Sequence, residues 1–138
     1  MSCFELGNAF YASNDISSAQ KYYEAGLYVK ELVIKEKPTL LQRRDLIKDY
    51  NYMGNITKNA KKEFAEKCFK KAFSIIFEIA YGEENGTYRS KEDFLQDYTL
   101  TQNNLFSVAE NFITKIKYLF WIMKCAGANK RKDKRDKI

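Results

Sequence analysis

The sequence predicts an all-α fold, a short solenoid of three antiparallel helix pairs, and three observations carry that expectation. Turn and breaker residues divide the 138-residue chain into helix-length segments. None of those segments shows the short apolar–polar alternation that a strand needs. A glycine-centred pattern in the first pair recurs in the second, as a stacked repeat requires. With 45% hydrophobic and 15% aromatic residues, the chain carries enough apolar surface to bury a core.

The first helix is expected over residues 2–13, ending where Asn14-Asp15 interrupts the apolar pattern. Asp15 is placed to cap a second helix over 16–36, because its carboxylate can accept a bond from a free N–H of the first turn. Pro38 ends that helix. Thr39-Leu40-Leu41-Gln42 then has the spacing of a capping box, with Gln42 three residues past the Thr39 cap, and starts a third helix over 39–58. Asn59 marks the next turn, and a fourth helix covers 62–81. The stretch "GEENGTYRS", residues 82–90, is the clearest loop. Ser90 and Asp93 stand at the cap and third positions of a fifth helix over 91–108. A sixth helix over 112–126 stops at Gly127. The result is one helical domain over 1–127, with units about 2–36, 39–81 and 91–126, followed by a basic tail over 128–138 expected to be disordered.

The repeat is visible residue by residue. Gly7-Asn8 recurs as Gly54-Asn55, and Ala19, Tyr23 and Gly26 recur as Ala65, Phe69 and Ala72. Leu6 and Met53 supply the large aliphatic before each glycine. A third copy is fainter: Asp97-Tyr98 aligns with Asp49-Tyr50, which places Gln102-Asn103 where Gly54-Asn55 stood. A small residue at a helix crossing lets two backbones approach, and an aromatic one turn away fills the space beside it.

On these residues, "LGNAFYASNDISSAQKYYEAG" closely resembles the tetratricopeptide repeat, in a long-helix variant whose period here is 46 to 48 residues against about 34 in the ordinary repeat. Asn14 departs from the usual turn glycine, tolerably, since Asn accepts left-handed geometry. The resemblance implies a right-handed solenoid whose first helices line a concave groove that binds a protein or peptide. One subset of that family grips chaperone tails with a Lys/Asn/Asn/Lys/Arg clamp. Only Asn8 matches it, while Phe4, Tyr52, Gln96 and Leu100 replace other members, so that ligand is disfavoured.

Composition narrows the chemistry. The chain has no histidine, which removes the commonest metal ligand and general base. Cys3, Cys68 and Cys125 are odd in number and far apart, as reduced thiols are. No phosphate loop or metal spacing accompanies the carboxylates Glu83-Glu84, Glu92-Asp93 and Asp97, which suit a loop and a helix start. The expectation is therefore a non-enzyme with no cofactor, no metal and no catalytic residue. The longest apolar run, Tyr118 to Met123, is too short to cross a bilayer, which points to a cytoplasmic protein without membrane contact. The net charge of +6 resides largely in "ANKRKDKRDKI", which holds six Lys/Arg and two Asp. Association of that tail with nucleic acid or another acidic surface, with the helical body as a dimerisation platform, is the alternative function.

One face of the first helices collects Asn8, Tyr11, Lys48, Asn51, Asn55, Lys58, Gln96, Thr99 and Asn103 as candidate peptide-binding residues. An Asn amide offers both donors and acceptors to an extended peptide backbone whatever its sequence. Asn after Gly can equally serve only the helix pair, and the lysines can be solvated. The last helix, "KYLFWIMKC", puts apolar groups around most of its circumference. Either the core wraps it, or Phe120 and Trp121 form an interface for a homodimer or another partner.

Overall fold

A computed structural model describes residues 2–34, 38–82 and 87–136, the side chains of 132–136 excepted. Within them lie six helices: α1 (Cys3–Ala12), α2 (Ile16–Val33), α3 (Leu40–Thr57), α4 (Lys62–Tyr81), α5 (Lys91–Ser107) and α6 (Phe112–Asp136). No strand occurs among the described residues, so the all-α class holds. The expected end of the second helix at residue 36, Glu83 and Glu84, and residues 137–138 lie outside them.

The helix starts follow the capping residues. Asp15 accepts from the Ser18 N–H at 3.1 Å, and Asn14 takes the left-handed conformation at φ 65 that tightens the α1–α2 turn. The Thr39–Gln42 capping box is closed in both directions, at 2.9 and 3.1 Å. Ser90 accepts from the Asp93 N–H at 3.1 Å. A further capping box, Ser2 with Glu5, opens α1; its Ser-x-x-Glu spacing was readable in the sequence.

Two hairpins follow from glycine. A Cβ on Gly7 would meet the Tyr23 ring at 2.7 Å, and one on Gly54 would meet the Phe69 ring at 2.4 Å. The repeat-equivalent rings therefore lie directly on bare backbone, which brings α1 onto α2 and α3 onto α4. Phe4 lies by Gly26, and Phe10 stacks on Tyr22 at 5.3 Å. The start of α1 thus meets a later part of α2 than the end of α1 does, so the pair runs antiparallel. α4 supplies more of the core than any other helix, with Ala65, Phe69, Ala72, Phe73, Ile76 and Ile79 fully buried.

The last two helices depart from the expected third pair. α5 and α6 each lie against α4 and touch one another little. Tyr98 of α5 and Trp121 of α6 both turn to Phe73, at 5.5 and 6.2 Å. The physical reason is in the third copy itself: Gln102 replaces the glycine that lets a hairpin close. The expected stop at Gly127 is also corrected, since α6 continues to Asp136. One glycine within a helix costs only about 1 kcal/mol against alanine. The Ala, Lys and Arg residues beyond it are good helix formers, and their positive charge suits a helix C-terminus.

Candidate functional site

Across the first helices, the structure leaves Tyr11, Lys48, Asn55, Gln96, Thr99 and Asn103 exposed. Asn8 is exposed too, but its Oδ1 already accepts from the hydroxyls of Tyr23 and Tyr52, at 2.5 and 3.1 Å. Lys58 is half-buried and reaches Ser107 Oγ at 3.5 Å, bridging the ends of α3 and α5.

Asn51 must be taken off this face, because it is only 3% exposed. Its Nδ2 donates to the Ile47 carbonyl and to Thr101 Oγ1 at 2.9 Å, while its Oδ1 accepts from Asn104 Nδ2 at 2.8 Å. The amide pairing between α3 and α5 thus runs from Asn51 to Asn104, and Asn103 points elsewhere. A buried amide satisfied on both sides holds two helices in register and has little left for a ligand.

The acidic residues at the start of α5 are likewise structural. Arg44 donates to both oxygens of Asp97, at 2.9 and 3.0 Å, and lies 3.5 Å from Asp93. Tyr88 donates to Asp97 at 2.9 Å. The bond to Asp97 raises the Arg44 pKa further, against a smaller opposing effect of burial. Burial, followed by the Asp97 charge, holds the Tyr88 phenol protonated well above its ordinary range. The sequence pattern sets Asp97 among carboxylates that suit a loop and a helix start. It does not reveal Arg44, whose bidentate pairing spans more than fifty residues.

On the other side of α3, the helices stand apart and leave a groove of about 990 Å³. Its floor holds Leu27 of α2, Met53 of α3, and Phe64 and Cys68 of α4. The walls differ in net sign: Glu24 and Glu31 line the α2 side, while the α4 side carries Lys61, Lys62, Lys67 and Lys71 against one acid, Glu63. Tyr28 stands exposed at the rim. Tyr50 donates to Glu31 at the base, and burial followed by that bond pushes its phenol pKa up. Burial, with Glu24 nearby, moves the Cys68 thiol up to about 12. Cys68 is therefore a neutral apolar surface at neutral pH, since the thiolate is the reactive form. The groove combines an apolar floor with charged walls of opposite net sign.

Trp121 and Phe120 separate. Trp121 is half-buried, edge-on to Phe73 and with Lys70 Nζ 5.2 Å from its ring centroid, whereas Phe120 is exposed. Among the described residues, no group of three or more His, Cys, Asp or Glu is placed to hold a metal ion. Comparison with family models, with curated proteins and with solved structures finds no match to this chain.

Proposed function

We propose that the protein is a non-enzymatic, tetratricopeptide-like scaffold that binds a peptide or protein segment. What carries the reading is the groove between α2 and α4: a concavity of about 990 Å³ with an apolar floor and charged rims. Apolar concavities with a few oriented polar groups are where ligands bury most surface. The opposed walls favour a segment with an apolar edge flanked by basic residues toward Glu24 and Glu31 and acidic residues toward Lys67 and Lys71. The exposed first-helix face, with Asn55 and Asn103, presents polar groups without such a floor.

The test is a peptide selected by display on the immobilised chain, titrated against two variants. Tyr28→Ala with Lys67→Glu alters exposed groove positions, and the expected result is at least about tenfold weaker binding, the loss of roughly 1.4 kcal/mol. Asn55→Ala with Asn103→Ala is expected to leave affinity within about twofold. The opposite pattern would move the site to the first-helix face.

A further inference from the structure

We propose that α6 is also an in-plane anchor, laying its outward stripe on an anionic lipid surface. The stripe consists of Phe112, Ile113, Ile116, Leu119, Phe120 and Met123, each between 36% and 74% exposed. At helical spacing these positions fall together on one side of α6. Tyr118 and Ile122, which are buried against the core, and Trp121, which faces Phe73, fall on the opposite side. The helix is thus apolar on both faces, and only one is covered by the fold.

Charge identifies the occupant. Lys115 borders the stripe on one side, with Lys117 and Lys124 on the other, and all three are exposed. From Asn111 to Lys132 the chain carries six basic residues and no acidic one. An apolar stripe flanked on both sides by lysine is the pattern of a helix lying in a bilayer interface: the apolar groups enter the acyl boundary while lysine stems reach back to anionic headgroups. A second copy of α6 would set lysine against lysine. Nucleic acid would use the charge and leave the stripe in water. No helix among the described residues is long and apolar enough to cross a membrane, and lying in the interface does not require it. This inference is independent of the groove.

The test is sedimentation of the full chain with vesicles of phosphatidylcholine, alone or containing about a quarter phosphatidylserine. Binding is expected to the anionic vesicles, weakening as salt rises. Lys117→Ala with Lys124→Ala should lower the partition coefficient more than about tenfold, since each lysine near such a surface contributes about fivefold. Phe120→Ser with Met123→Ser should lower it at least as much, with helical circular dichroism unchanged in both variants. No partition onto anionic vesicles would overturn the proposal and leave the stripe to a protein partner. Equal binding to both vesicles, or binding that ignores the stripe variant, would overturn it. So would displacement from vesicles by single-stranded RNA whose own binding does not need the stripe. A concentration-dependent dimer lost in Phe120→Ser with Met123→Ser would instead assign the face to a second copy.

Discussion

The junction between the two hairpins and the junction between the second hairpin and the last two helices are built differently. At the first, α2 meets α3 but stands clear of α4. It is tied by Lys30–Asp49 at 2.5 Å, by Tyr50 to Glu31 and by Tyr52 to Asn8. At the second, α4 receives both α5 and α6, and aromatic contacts join the Arg44–Asp97 pair and the Asn51–Thr101–Asn104 network. Repeat-equivalent positions record the contrast: Val33 of α2 is 74% exposed, whereas Ile79 of α4 is fully buried. The same pattern of small and aromatic residues closes both hairpins, so hairpin formation and hairpin stacking are separately encoded. Where stacking is incomplete, a groove is left between α2 and α4, although Leu27, Met53 and Cys68 at its floor are themselves only 2–3% exposed.

Substitutions can sharpen this contrast. Phe73→Ala removes the ring on which Tyr98 and Trp121 converge, and should cost about 3–5 kcal/mol in urea unfolding. Tyr28→Ala in the open junction should cost no more than about 0.5 kcal/mol. Equal losses would erase the distinction. Asp97→Ala leaves Arg44 and Tyr88 without their shared acceptor, and a destabilisation of about 2–3 kcal/mol is expected by the same measurement.

The glycines give a smaller, graded effect. Gly54→Ala pushes a methyl against Phe69 within the buried core and should cost about 1–3 kcal/mol. Gly7→Ala should cost less, because its approach to Tyr23 is 2.7 Å against 2.4 Å and the first hairpin has more freedom to shift. Smallest is Lys30→Ala, worth about 0.2–1 kcal/mol at an exposed pair that salt screens.

The Cys68 thiol adds a pH test of the groove floor. Its pKa rises from 9.0 to about 12, so the folded state favours the protonated form. Its contribution to stability is present below pH 9 and is lost as pH climbs toward 12. Iodoacetamide at pH 8 should modify half-buried Cys3 before Cys68. Equal rates would mean that the floor opens freely in solution.

Much of the fold was legible because its signals are local. Asp15, Thr39 with Gln42, and Ser90 announce helix starts within three residues of themselves, and Gly7 and Gly54 mark crossings through their own lack of a side chain. The end of α6 is not legible in the same way, because Gly127 resembles a C-cap while the residues after it favour helix. The site was less legible, for a physical reason. Helical spacing put Asn51 with Asn55, but α5 covers Asn51 and leaves Asn55 in water. Arg44 and the α2–α4 groove depend on helices far apart in sequence, one on their contact and the other on their separation.

The most direct test of the open junction as a binding site is nuclear magnetic resonance mapping of a display-selected peptide on the isotope-labelled chain. The account predicts saturable shift changes at Leu27, Met53, Phe64 and Cys68, with Asn55 and Asn103 unmoved. Changes confined to Asn8, Asn55 and Asn103, with the α2–α4 floor silent, would contradict it.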